Sequence, residues 1–268
     1  MVRSVTALAA LALVLVVGGC SLFGKVIDPR KDWQAADYYK AAKTEFDAEN
    51  WDASIKIYDQ LEAKFPFGRF AQQAALESAY AYYRTGETAQ CVSTLDKFVK
   101  AHPNHPNVDY ALYLKALANF KEDLGPLSKL IDQDLADRDP KAARESFEGF
   151  KDLVARYPES KYVDDSRERM AYLVEALARH EVNVARYYLH RRAYLAAANR
   201  AQETLFHFPS SPSRRDALEI MIESYDRMGM IELRDDAKRV LAKNYPADPL
   251  VAAGKNSTRV WYKPWTYW

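Results

Sequence analysis

Residues 79 to 103 read AYAYYRTGETAQCVSTLDKFVKAHP. Apolar side chains recur every three or four positions on both sides of Gly86, the period of a helix face rather than of a strand. Small residues at Ala79 and Cys91 let two helices approach closely, while Tyr82, Leu95 and Phe98 fill the space between successive pairs. Gly86 turns the chain and Pro103 stops the second helix, so the stretch is a helix hairpin.

Outward from this hairpin, an aromatic residue or His precedes Pro at Phe65-Pro66, His102-Pro103, Tyr157-Pro158, Phe208-Pro209 and Tyr245-Pro246. The Pro-to-Pro spacings are 37, 55, 51 and 37 residues, close to the tetratricopeptide (TPR) period twice and enlarged twice. With Pro at position 32 of such a repeat, the hairpin above places Ala79 at 8, Tyr82 at 11, Gly86 at 15, Cys91 at 20, Leu95 at 24 and Phe98 at 27. The first unit supplies Ala42, Trp51, Ser54, Tyr58 and Leu61, and the fourth Ala185, Tyr188, Tyr194 and Ala197. The fifth keeps Tyr225, Gly229 and Leu241 but has Arg234 where a small residue belongs, as expected of a capping unit. The third is split: a helix from about Val108 to Asp123, an insertion over 124–139, and a second helix starting at Pro140. Asp164 to Arg192 holds no Gly or Pro and predicts one helix of about eight turns. Alternating β-branched runs are missing. The expected fold is all-α, an α-solenoid of about five TPR-like hairpins, with repeats one to three over 32–158, repeats four and five over 159–246, and an aromatic tail over 247–268.

The N-terminus reads as an address. Met1 and Arg3 precede a 13-residue apolar run, Val5 to Val17, which is too short to span a membrane comfortably and suits a signal peptide over 1–19. Val17-Gly18-Gly19-Cys20 resembles the lipobox of bacterial lipoproteins. The resemblance implies cleavage before Cys20, diacylglycerol and an N-acyl chain on that residue, and a tether over 20–31. Two or more chains on one residue anchor stably. Ser21, in place of the Asp that retains such proteins at the inner membrane, implies the outer membrane with the body facing the periplasm.

Across 268 residues Lys and Arg number 38 against 37 Asp and Glu, and removal of Arg3 with the signal peptide leaves zero net charge, so nucleic acid is not an expected partner. With only Cys20 and Cys91 there is no disulfide framework, and Cys91 reads as a small buried hydrophobe. No Gly-x-Ser-x-Gly, P-loop or His-Glu-x-x-His box is present, so no catalytic residue is assigned. His102 and His105 flank a Pro-rich turn without a third ligand, and Asp132, Asp134, Asp137 and Asp139 lack the Gly and terminal Glu of a calcium loop, so no metal or cofactor is assigned.

Two features point to binding. Positions 2, 5, 9 and 12 of the first helix of a TPR hairpin line its concave face; here they are Ala36, Tyr39, Lys43 and Phe46, then Gln73, Leu76, Tyr80 and Tyr83. Edged by Lys43 and Arg84, such a groove suits an extended peptide with aromatic side chains and a carboxylate; the alternative is that the rings are core between hairpins. The second feature is Arg179 to Arg215, with seven Arg against Glu181 and Glu203, either a partner surface or a solvated helix face.

Phe65-Pro-Phe-Gly-Arg-Phe-Ala-Gln-Gln73, Ala79-Tyr-Ala-Tyr-Tyr83, His105-Pro-Asn-Val-Asp-Tyr110 and Asp137-Arg-Asp-Pro140, in this order and behind the lipobox, resemble the BamD family, the TPR lipoproteins of the outer-membrane β-barrel assembly machinery (BAM complex). The similarity covers roughly residues 17 to 246; the aromatic tail departs from it. The resemblance implies no enzyme activity and membership of a complex with BamA and accessory lipoproteins. It implies that the N-terminal repeats receive C-terminal targeting segments of unfolded outer-membrane proteins and that the C-terminal repeats dock the BamA periplasmic domain; the first role matches the groove read independently from repeat position, with Tyr39, Lys43, Phe46, Gln73, Leu76, Tyr80, Tyr83 and Arg84 as peptide-binding residues. Arg191 and Arg200 align with docking positions of the family; no role is carried onto Arg192. A periplasmic TPR scaffold for cell-wall enzymes or secretion factors would share lipobox and groove but lack the Phe-Pro-Phe-Gly and His-Pro-Asn-x-Asp-Tyr stretches, and a lytic enzyme would need a catalytic domain for which 22 residues remain.

Overall fold

The computed structural model describes Arg30, residues 32–124 and residues 140–252. The signal peptide, Cys20, most of the tether, the acidic insertion residues Asp132 to Asp139 and the tail beyond Ala252 lie outside the described residues.

Among the described residues the chain is all-α, in five successive hairpins: α1 (Ala35–Asp47) with α2 (Trp51–Lys64), α3 (Arg69–Thr85) with α4 (Thr88–Ala101), α5 (Val108–Leu124) with α6 (Lys141–Arg156), α7 (Val163–His190) with α8 (Tyr194–His207), and α9 (Arg214–Arg227) with α10 (Ile231–Asn244). One turn, α11 (Pro249–Ala252), follows. The expected TPR hairpin order is the observed one. Pro140 caps α6 from outside rather than opening it.

The second helix of every hairpin stops the same way. The N–H of Phe65, His102, Tyr157, Phe208 and Tyr245 closes a last helical bond, 2.7–3.1 Å, to the carbonyl four residues back. The following Pro then excludes the helical conformation, and ψ at the five residues moves to 59–68°. The turn inside four hairpins is equally regular. Glu49, Gly86, Arg192 and Gly229 sit at φ 59°, 83°, 60° and 71°, each donating its N–H three residues back while the next residue donates five back, the Schellman arrangement. Two of these positions lack glycine, and a side chain in the left-handed region costs about 1 kcal/mol. Arg192→Gly is therefore expected to raise stability by about 0.5–1 kcal/mol and Gly86→Ala to lower it by about 1 kcal/mol. Urea midpoints check both; no change in either would mean that the turn is free to leave this conformation.

The chain forms two compact units, residues 1–71 and 72–268. In the first, α1 closes on α2 through Tyr38, Ala42, Ser54, Tyr58 and Leu61, all fully buried. The small pair Ala42 and Ser54 sits at the crossing, and Ser54 Oγ donates to the Trp51 carbonyl at 2.8 Å, so its burial leaves no unmet hydroxyl.

In the second unit three clusters follow one another. Leu76, Ala79, Cys91, Leu95 and Phe98 join α3 and α4 and continue into Val108 and Ala111 of α5. Ala116, Phe120, Phe150, Leu173 and Leu177 join α5, α6 and α7. Here Gly149 is required by proximity: a Cβ on it would lie 3.0 Å from Ala116 Cβ. Ala185, Ala197, Ala201, Ala217, Leu218 and Leu241 join α7 to α10. Helix α7, 28 residues and about 42 Å long, serves two clusters, Leu173 in one and Ala185 in the next. Arg234, the non-conforming residue of the last repeat, spends its guanidinium on Asp226 and Asp235, both at 2.9 Å.

Candidate functional site

The aromatic positions divide between exposed and packed roles. In the first unit Tyr39 lies against Tyr58 and Phe70, ring centroids 6.2 and 5.4 Å away, and Phe46 meets Trp51 edge-on at 5.1 Å. Lys43 Nζ stands 4.5 Å from the Phe46 ring centre and pairs with Asp47 at 2.9 Å. These three side chains are half-buried: each keeps one side in solvent while the other closes the hairpin. Ala36 is exposed one turn earlier.

On α3, Tyr80 and Tyr83 lie one turn apart with centroids 6.1 Å apart, and Arg84 Nη1 donates to the Tyr80 hydroxyl at 3.2 Å. The result is a ledge of two half-exposed rings ending in an exposed guanidinium, chemistry suited to an aromatic side chain beside a carboxylate. Partial burial pushes the Tyr83 phenol up, so it stays a neutral donor. Gln73 Nε2 donates to Glu77 at 2.9 Å on the same helix. Leu76 corrects the expectation of a groove position: it is 2% exposed and lies in the core with Ala79 and Leu95. Three residues before Ala79, it shares the face that α3 turns to its partner, so it holds the hairpin rather than lining a surface.

The basic stretch is less unbalanced than its local sequence. Arg179 faces Glu175 at 3.9 Å, Arg186 binds Asp216, Arg200 binds Glu181 at 3.1 Å, and Arg215 reaches both Asp248 and Glu219 at 2.5 and 2.8 Å. All of these acids except Glu181 lie outside the window from 179 to 215, so packing supplies the counter-charges that the window lacks. Arg191 follows the end of α7, exposed, with its guanidinium 5.3 Å from the Tyr187 ring centre.

Arg200 lies in a different setting. It lines a cleft of about 870 Å³ between α6, α7 and α8, whose apolar wall includes Phe147, Leu177, Tyr188 and Phe208. At its base Glu181, 9% exposed at the side chain, accepts from Arg200 Nη1 at 3.1 Å and from Arg144 Nη2 at 3.2 Å. One buried carboxylate thus holds two half-exposed guanidiniums, and Glu148 and Glu203 add two further carboxylates to the cleft lining. Sequence reading missed both Arg144 and Glu181, which stand 37 residues apart and meet only because α6 packs on α7. A lone Glu on the small-residue face of a helix, beside Ala178 and Ala185, was the available signal.

His102 and His105 both pack on the Phe98 ring, and His105 Nδ1 accepts the Asn107 N–H at 3.1 Å, the bonding of a turn. Cys91 is fully buried, and desolvation pushes its thiol up to about 12. Among the described residues no cluster of three or more His, Cys, Asp or Glu could hold a metal ion, and no helix is long and apolar enough to cross a membrane.

The family model described as YfiO, outer membrane lipoprotein, matches residues 31–240, from the start of the first hairpin into α10. A Neisseria meningitidis protein named outer membrane protein assembly factor BamD is 40% identical over 265 residues, which cover 97% of this chain and 98% of that one. A Vibrio cholerae protein of the same name is 31% identical over 242 residues, 90% of this chain and 98% of that one. These relatives are named as assembly factors, not as enzymes. Because the similarity runs through all five hairpins and both relatives are matched over nearly their whole length, the chain belongs to the BamD (YfiO) family of outer membrane lipoproteins.

Proposed function

We propose that this chain is an outer-membrane protein assembly factor of the BAM complex, anchored through acylated Cys20 at the periplasmic face of the outer membrane. Its N-terminal repeats bind C-terminal targeting segments of unfolded outer-membrane proteins, and its C-terminal repeats dock the periplasmic domain of BamA, with accessory lipoproteins completing the assembly. The observation that carries the reading is the similarity, over nearly the whole chain, to relatives named as assembly factors. The Tyr80, Tyr83 and Arg84 ledge supports the first role, since its two rings and one cation match an aromatic residue followed by a terminal carboxylate. The two guanidiniums over Glu181 support the second.

Titration with a peptide copied from the C-terminus of an outer-membrane barrel tests the recognition role. Loss of a desolvated aromatic anchor costs about 2 kcal/mol or more, so a Tyr80→Ala, Tyr83→Ala variant with unchanged circular dichroism should bind about 30-fold more weakly. Equal affinity in variant and wild type would remove the site from α3. Removing Arg84, at the rim, should matter less.

A further inference from the structure

The Phe65-Pro-Phe-Gly stretch is not used by either binding surface. Its Phe67 is 90% exposed, more than any other large hydrophobic side chain among the described residues. In the other four linkers the residue after Pro is Asn104, Glu159, Ser210 or Ala247. There the next residue, His105, Ser160, Ser211 or Asp248, bonds back to the residue before the Pro. The first linker instead takes Gly68 to φ +100°, a conformation that side chains rarely adopt, and holds an aromatic ring in solvent.

The same end of the first unit receives the N-terminal tether. The Tyr38 hydroxyl donates to the Arg30 carbonyl at 3.0 Å, and the Tyr38 ring touches Trp33 and Phe65, centroids 5.2 and 6.2 Å away. Lys64 also bonds the Tyr38 hydroxyl. Phe65, two residues from Phe67, is therefore tied to the point where the chain from Cys20 enters the fold. Ten residues separate Cys20 from Arg30, a reach of at most about 35 Å. Between Glu62 and Glu77 the only charges are Lys64 and Arg69, both exposed.

We propose that the Pro66-Phe67-Gly68 turn is a second, non-covalent contact with the lipid surface: Phe67 enters the headgroup region while Arg69 faces anionic headgroups, Lys64 being held by the Tyr38 hydroxyl and ring. Aromatic rings flanked by cations suit this boundary, because the ring leaves water as the cations keep contact with phosphate. A short tether supplies the high local concentration that one ring and one cation need. The proposal rests on the lipid-anchor reading, and its test separates the two.

A nitrobenzoxadiazole dye on Ala63→Cys, exposed and four residues before Phe67, reports burial at this end; Asp52→Cys, about 16 Å away along the axis at the start of α2, is the control. Cys91, fully buried, stays unlabelled. Vesicles of phosphatidylethanolamine and phosphatidylglycerol carry a lipid-borne nitroxide quencher. The mature chain is attached in its natively acylated form and, separately, as a Cys20→Ser chain held by an N-terminal histidine tag on nickel-chelating lipid. The expected result is a blue shift and loss of most of the emission at position 63 in both forms, neither effect at 52, and loss of both on Phe67→Asp. Emission at 63 that stays water-like and unquenched on the tagged chain overturns the contact. A blue shift without lipid quenching, seen only after a protein partner is added, overturns it in favour of that partner. Quenching on the tagged chain alone, with the native chain failing to float with vesicles, upholds the contact and defeats the acyl anchor.

Discussion

Replacing Phe150 by alanine is expected to cost the fold about 3–5 kcal/mol. The ring is fully buried where three helices meet, with Tyr113 and Phe120 of α5 at 6.0 and 6.5 Å between centroids and Leu173 and Leu177 of α7 in the same cluster. The upper part of that range applies because the neighbours cannot close the gap. Gly149 and Ala116 already bring α5 and α6 into backbone contact, leaving no slack for them to move further together. Phe150→Leu, which keeps most of the volume, should lose about 1–1.5 kcal/mol. Urea unfolding checks both, with the midpoint falling and the slope unchanged. A loss under about 1 kcal/mol for alanine would show that α6 is not wedged between its neighbours. Partner recovery should also fall near the melting transition, since Arg144 reaches Glu181 only while α6 stays on α7.

Arg200→Met is expected to abolish most recovery of BamA from solubilised membranes while lowering stability by only about 1 kcal/mol. The guanidinium is half-exposed, so its bond to Glu181 is screened, and Arg144 still neutralises the carboxylate. Arg200→Glu should behave differently. It sets a second carboxylate beside buried Glu181 and should cost about 2 kcal/mol or more, with a melting temperature lower by several degrees. Loss of the partner from the glutamate variant alone would therefore mix docking with folding, and methionine makes the clean comparison. Glu181→Gln probes the same cleft from below: it releases both guanidiniums from their internal partner, and recovery should be kept or raised. Normal recovery with a stable Arg200→Met chain would assign Arg200 to joining α7 and α8 and end the docking role. Thermal melts beside each pull-down separate the outcomes.

The proposed peptide surface is smaller than the concave-face count suggested. Position counting treats each first helix alone, yet Leu76 shares a face with Ala79 and is covered by α4, while Tyr39 and Phe46 give one side of their rings to Tyr58 and Trp51. Tyr80 and Tyr83, with Arg84 at their edge, keep accessible ring surface at the end of α3.

By itself the sequence determined the elements and their order. Helical periodicity, Pro after an aromatic or His, and the Gly-free run through α7 are constraints acting within a few residues, and each set its boundary to within two residues, α7 ending at His190 rather than at Arg192. Only the tertiary structure decided the rest. Glu49 and Arg192 adopt the left-handed turn that Gly86 and Gly229 adopt freely, because hairpin closure and two backbone hydrogen bonds outweigh a local cost of about 1 kcal/mol. Charge pairing followed the same division. Arg186 finds Asp216 and Arg200 finds Glu181 across gaps of 30 and 19 residues, separations set by which helix faces meet. Backbone preference is local and legible along the chain, whereas the partner of a side chain depends on the packing register of helices far apart in sequence.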